Sequence, residues 1–241
     1  MKIVDKICKK QNSLSGNPAV TIAFLGDSVT QGCFECFVKE DDKVETVFDT
    51  DSSYSSRLKS MLNLLYPTVQ FNFINAGISG DSAKGGLKRL DRDVLCFHPD
   101  LVVVGFALND AALGGEGGLN DYKKTMTEIL KRIAESGAES IVLTPNAMNV
   151  GTSCHLKEKP LLKLAKNMEK LQKSGVLDSY AEAAKEVAAA NGAVVCDVYS
   201  KWKKMIAAGV DVTELLANKL NHPVRQMHYL TAMMLCDCIL G

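Results

Sequence analysis

The stretch whose reading decides the fold is Ala19-Val20-Thr21-Ile22-Ala23-Phe24-Leu25-Gly26-Asp27-Ser28-Val29-Thr30. Ala19–Leu25 is an unbroken run of apolar and β-branched residues, the pattern of a strand buried on both faces. Gly26 ends the run, and Ser28 follows where a helix N-terminus would begin. Similar runs recur at Val69–Asn75, Leu101–Ala107, Ser140–Pro145 and Ala193–Tyr199. Between and after them, helical spacing predicts helices over Ser53–Tyr66, Tyr122–Ser136 and Gln226–Leu240. Leu161–Asn191 reads as two helices broken near Ser174-Gly175. Asn191-Gly192 is a strong stop before the last strand. Such alternation predicts an α/β protein, a three-layer α/β/α sandwich around a five-stranded parallel sheet. No linker, repeat or low-complexity tract interrupts it, so residues 1–241 are expected to form one domain. Cys33–Asp51, acidic and polar, and Asn146–Pro160 read as excursions from the core.

Composition narrows the function classes. Hydrophobic residues make up 46% and charged residues 23%, which excludes a disordered chain. Lys plus Arg and Asp plus Glu both number 28, so no general attraction to nucleic acid or anionic membrane is expected. No run approaches the ~18 apolar residues of a membrane span. The N-terminus MKIVDKICKK lacks the apolar stretch of a signal peptide, so the expected location is the reducing cytoplasm. There the eight cysteines should serve mostly as small buried hydrophobes.

In open α/β sheets ligands bind beyond the carboxyl ends of the strands. Those ends carry Gly26-Asp27-Ser28, then Asn75-Ala76-Gly77-Ile78-Ser79-Gly80-Asp81, then Leu108-Asn109-Asp110. Asn221-His222-Pro223 lies near the C-terminus. A serine, a glycine, an asparagine and a histidine on separate loops suit acyl transfer. Histidine activates the hydroxyl, while backbone N–H groups and a side-chain amide stabilise the oxyanion. Each residue also has a plainer reading: Ser28 as a helix cap, Gly77 as a tight turn, Asn109 as a cap. Asp27 and Asp110 are expected to bind loop N–H groups, and His228 to be structural.

Four blocks in this order resemble the SGNH (GDSL-type) hydrolase family, across residues 20 to 235. The resemblance implies a flavodoxin-like layout and a carboxylic ester hydrolase acting through an acyl-enzyme. It makes Ser28 the nucleophile and His222 the general base. The oxyanion hole would be the Ser28 N–H, the Gly77 N–H and the Asn109 amide. The family usually carries Asp three residues before the histidine; here Lys219 stands there. A backbone carbonyl or an Asn oxygen is therefore expected to orient His222, with Asp197, Asp211 or Glu214 as carboxylates that would overturn this.

No metal or organic cofactor is expected. Cys33-x-x-Cys36 and Cys236-x-Cys238 do not make a convincing zinc set, and Gly114–Gly118 lacks the Lys of a phosphate loop. The partner is a small acyl ester; the sequence leaves the oligomeric state open. One Trp, 6% aromatics and the lack of a long apolar lid favour a short acyl group, such as acetyl on a sugar. Lysophospholipase or thioesterase activity, or ligand binding without turnover, are the alternatives.

Overall fold

The computed structural model describes residues 1–241. In chain order the elements are α1 (Lys2–Asn12), β1 (Val20–Gly26), α2 (Ser28–Gln31), β2 (Cys33–Val38), β3 (Val44–Phe48), α3 (Tyr54–Leu65) and β4 (Phe71–Gly77). Then follow α4 (Ala83–Asp93), β5 (Leu101–Gly105), α5 (Leu108–Gly114), α6 (Leu119–Glu135), β6 (Glu139–Leu143) and α7 (Lys159–Lys173). The chain ends with α8 (Val176–Ala190), β7 (Val194–Cys196), α9 (Val198–Ala207) and α10 (Arg225–Leu240).

Five strands form one parallel sheet in the order β4-β1-β5-β6-β7. Every residue of β1 is buried, as its apolar run requires. Helices α1, α3 and α10 cover one side of the sheet, and α4, α6 and α8 the other. Each side therefore removes an apolar stripe from water, at about 1.5–3 kcal/mol per large aliphatic or aromatic side chain. With the β2–β3 hairpin set aside, the strand order is that of the flavodoxin-like doubly wound sheet.

Several boundaries differ from expectation for identifiable reasons. The last strand stops at Cys196 because the Asp197 carboxylate accepts the Ser200 N–H and starts α9 there. The Cys33–Asp51 excursion lies outside the main sheet, but it is ordered as a two-stranded sheet of its own. Most of it is the antiparallel hairpin β2–β3, and Cys36, Val38 and Val44 pack on a small separate core of Leu161, Ala165 and Leu220. Three of the thiols, Cys8, Cys96 and Cys154, are exposed rather than packed. No group of three or more His, Cys, Asp or Glu is arranged to hold a metal ion, and no helix is long and apolar enough to cross a membrane.

Candidate active site

The site is built where three strands end side by side. Gly26 is in register with Gly77 on one side and with Gly105 on the other. A Cβ on Gly26 would lie 2.1 Å from Thr30 Oγ1, and one on Gly77 only 2.3 Å from the Gln31 nitrogen. The missing side chains let the short helix α2 sit directly on the strand ends. Asp27 caps that helix by accepting the Val29 N–H at 3.0 Å. Thr30 fixes its far side, with Oγ1 2.7 Å from Tyr54 Oη and its carbonyl accepting from Asn75 Nδ2 at 2.9 Å. Ser28 therefore stands at the first helical position, where its own N–H has no helical acceptor.

The histidine arrives from the other end of the chain. Asn218 Oδ1 accepts the N–H groups of Leu220, Asn221 and His222 at 3.0, 3.0 and 2.9 Å. The Asn221 carbonyl accepts from Asn146 Nδ2, and the Leu220 carbonyl from the Asn149 N–H. Thus the Asn146–Pro160 excursion braces the histidine loop. His222 Nε2 lies 2.9 Å from Ser28 Oγ, and His222 Nδ1 lies 3.0 Å from the Phe34 carbonyl oxygen. That carbonyl can only accept, so Nδ1 carries the proton and Nε2 presents its lone pair to the serine hydroxyl.

The orienting acceptor is thus a backbone carbonyl supplied by the hairpin. The Asn oxygens considered from sequence have other partners: Asn218 Oδ1 holds the loop, and Asn221 Oδ1 accepts from Asn218 Nδ2 at 3.0 Å. The candidate carboxylates lie elsewhere. Asp197 binds Ser200 and Thr144, Asp211 caps Thr213, and Glu214 pairs with Lys219 at 2.8 Å. Lys219 itself adopts a left-handed φ of 57°.

Ser28 and His222 are only 3% and 5% exposed. Burial lowers the His222 pKa to about 4, against a smaller upward pull from the Phe34 carbonyl. The imidazole is therefore neutral at pH 7, as a base must be. Burial also raises Asp27 to about 7, with Asp110 and Asp81 pushing the same way. Asp110 is raised to about 6, chiefly by burial, and its Oδ1 accepts the Ala83 N–H at 3.0 Å. Both acids bind backbone N–H groups, but those of helix starts rather than of loops: Val29 lies in α2 and Ala83 is the first residue of α4. His228 is buried in α10, where Nδ1 accepts the Tyr54 N–H at 2.9 Å.

The expected oxyanion donors fare differently. The Gly77 N–H is occupied, donating to Asn75 Oδ1 at 3.0 Å, and that glycine's absent side chain serves the docking of α2. Asn109 Nδ2 donates to the Asp81 carbonyl at 2.8 Å, which leaves its second hydrogen available. Gly80, one residue before Asp81, has a φ of 79° and an N–H without a partner in the protein. Its segment is tied at one end to Gln31 of α2, whose Oε1 accepts the Ser79 N–H at 2.6 Å, and at the other to Asn109. Sequence reasoning passed over Gly80, although Ser79-Gly80 is a turn signal.

Arg89 was also missed. From α4 it bonds the Gly26 carbonyl at 3.0 Å, the Ala76 carbonyl at 2.6 Å and Asp81 Oδ2 at 2.7 Å. One buried guanidinium thus joins the ends of β1 and β4 to the Gly80 turn. Two hollows adjoin the site. A cavity of about 30 Å³, lined by Asp27 and Val29 with Phe106, Leu108, Leu143 and Val198, lies beside the turn that carries Ser28. A polar groove of about 260 Å³, lined by Ser82, Lys84, Asp110, Asp121, Thr125 and Tyr180, starts next to Asn109.

Residues 24–230 match the model of the GDSL-like lipase/acylhydrolase family. No sequence among curated proteins matches the chain. Among solved structures, it is similar to a lipase/acylhydrolase from Enterococcus faecalis, with TM-score 0.68 and 22% identity over 91% of this chain and 95% of that one. An acetylxylan esterase from Geobacillus stearothermophilus gives TM-score 0.67 and 19% identity over 91% and 94%. A two-domain esterase active on acetylated mannans gives 0.66 and 18%, over 98% of this chain and 52% of that one.

Proposed function

Because this chain belongs to the GDSL-like lipase/acylhydrolase family of ester-hydrolysing enzymes, we propose that it is a serine esterase for short acyl groups, with an O-acetylated sugar as the favoured substrate class. The observation that carries the mechanism is the relay from Ser28 Oγ through His222 to the Phe34 carbonyl, 2.9 and 3.0 Å long.

Ser28 Oγ attacks the ester carbonyl carbon while its proton passes to His222 Nε2. The Phe34 carbonyl stabilises the imidazolium that forms. The Ser28 N–H, the Gly80 N–H and the remaining Asn109 hydrogen receive the oxyanion; each such donor is worth about 10²–10³ in kcat. Collapse breaks the ester C–O bond, and the leaving alcohol takes the proton from Nε2. Water then attacks the acyl-enzyme, giving its proton to His222, and the acid departs as Ser28 Oγ is reprotonated.

The scale of the surroundings supports a small acyl group. Ser28 and His222 are almost fully buried, which leaves little room for an acyl chain beside the hydroxyl. The hydroxyl- and carboxylate-lined groove beyond Asn109 suits a polar leaving alcohol such as a sugar. Acetylated glycans are also the substrates named for two of the fold's relatives.

Hydrolysis of p-nitrophenyl esters from acetyl to decanoyl, by the protein and by Ser28→Ala, tests both parts. Activity that is greatest on acetyl and absent in the variant is expected. Equal rates in the two proteins would remove Ser28 as nucleophile. A preference beyond about eight carbons would remove the short-acyl reading. No turnover, with no fluorophosphonate labelling of Ser28, would favour ligand binding without catalysis.

A further inference from the structure

His222 depends on a carbonyl that belongs to an inserted hairpin rather than to the sheet. The Phe34 ring is fully buried and meets two residues of α10. The His228 ring lies 4.9 Å away between centroids, and the Arg225 guanidinium carbon stands 4.3 Å from the Phe34 centroid. Arg225 also grips the residues around Phe34. Its Nη1 and Nη2 take both Glu35 oxygens, at 2.6 and 3.2 Å, and its Nε takes Asp49 Oδ2 at 2.7 Å. Glu35 follows Phe34 directly in β2, and Asp49 follows β3.

The placement of this arginine is costly on its own. It occupies the first position of α10, where the helix dipole disfavours a cation. Two carboxylates offset that, and the guanidinium in turn holds both below the usual carboxylate range. The hairpin is also anchored without charge, where Cys36, Val38 and Val44 meet the small core of Leu161, Ala165 and Leu220 and where Asn218 Nδ2 donates to Cys36 Sγ at 3.6 Å. Only Arg225 links the strand carrying the Phe34 carbonyl, the end of the hairpin and the segment immediately after His222 through charge.

We propose that Arg225 is a positioning residue for the base: by clamping Glu35, Asp49 and the Phe34 ring, it keeps the Phe34 carbonyl on His222 Nδ1. This rests on the assignment of His222 as the base. It gives the arginine the service that a triad carboxylate performs directly, through a backbone oxygen and at one remove. Releasing the clamp lets the carbonyl drift, Nδ1 loses its acceptor, and the imidazole populates the tautomer that cannot take the serine proton. A displacement of about 1 Å in such a constellation costs on the order of 10²-fold.

The test compares the protein with Arg225→Gln, Arg225→Lys and Glu45→Gln, the last breaking a hairpin ion pair with Lys39 away from Phe34. Active sites are counted by fluorophosphonate titration taken to completion, and ¹⁵N spectra report the His222 tautomer. Arg225→Gln should lower kcat per titrated site about tenfold to a hundredfold. KM should change less than twofold, and the His222 ring should become a mixture of tautomers. Arg225→Lys should recover part of both effects, and Glu45→Gln should change neither. If Arg225→Gln reduces melting temperature or the titratable fraction alone, with kcat per site and the ring signals unchanged, Arg225 is only a staple and the proposal fails. Should Arg225→Gln not fold, Arg225→Lys and Glu35→Gln must show graded losses in the same readouts. The ring signals need no turnover, so they judge the clamp even if the esterase reading fails.

Discussion

Lys219→Asp restores the acid usual three residues before the histidine, yet the structure predicts that it repairs nothing. Lys219 sits at φ 57° with its Nζ 2.8 Å from Glu214 Oε2, and His222 Nδ1 already has the Phe34 carbonyl at 3.0 Å. A carboxylate could reach Nδ1 only by displacing that carbonyl and entering a site where His222 is 5% exposed. Desolvating it there costs several kcal/mol. The stability change should be small. Losing the partly exposed Lys219–Glu214 pair costs about 0.5 kcal/mol, and a new Asp near Glu214 adds a similar repulsion. Asp tolerates the left-handed backbone better than Lys, which offsets part of this. The melting temperature should thus fall by no more than ~4 °C. The assay is kcat/KM for p-nitrophenyl acetate from pH 3.5 to 8. It should stay within about threefold of the parent, less than 1 kcal/mol. The acid limb should not move. A carboxylate on Nδ1 would instead raise that limb by about 1–3 pH units. Either that rise or a rate gain of tenfold or more would refute the assignment of the Phe34 carbonyl as the orienting group.

In the unaltered protein, kcat/KM should be flat from pH 5 to 8 and fall about tenfold per pH unit below about 4, as His222 takes a proton. An acid limb near the ordinary histidine value of 6.5 would contradict the burial of the base. Asp27, raised from 3.8 to about 7, binds its proton more tightly in the folded protein. Its contribution to stability is complete below pH 4 and lost as pH rises through 7, on the order of 4 kcal/mol. Asp27→Asn keeps the cap without that titration. Its stability relative to the parent should therefore climb from pH 4 to 8 in urea melts, and a constant difference would disprove the buried-acid reading. Arg89→Met strands Asp81 and the carbonyls of Gly26 and Ala76. It should lower unfolding free energy by about 3–5 kcal/mol in urea titrations, and a loss below 1 kcal/mol would show that the guanidinium does not join the strand ends.

What the chain discloses before folding follows from where each signal resides. The strands β1 and β5 were legible because burial on both faces demands continuous apolar side chains. The break between α7 and α8 was legible because Gly175 takes a φ of 81°. Helix α4 was not, because Gly85 and Gly86 argue against a helix. They are there for close packing: a Cβ would come 1.7 Å from Asp81 Oδ1 at the first and 2.5 Å from the Phe106 ring at the second. Ser28 and His222 stand out as candidates in the sequence because their chemistry lies in their side chains, and the fold brings them within 2.9 Å. The group that orients His222 was narrowed to a carbonyl or an Asn oxygen but not located, since any residue offers the same carbonyl. Phe34 is singled out only by tertiary packing between Arg225 and His228. Gly80 escaped for a related reason: a turn glycine does not announce which of its neighbours leaves an amide vacant.

Ser28 and His222 are 194 positions apart in the chain, and His222 and its acceptor carbonyl 188. During synthesis at about 5–20 residues per second, Ser28 would exist for roughly 10–40 s before its base is made. Until the His222 loop closes against α2 and the hairpin, the nascent chain holds a serine no more reactive than any other. The Ser28–His222 pairing is thus completed late, when α10 packs against α3 and β7. The proposed activity would therefore appear only once the His222 loop has met α2 and the hairpin.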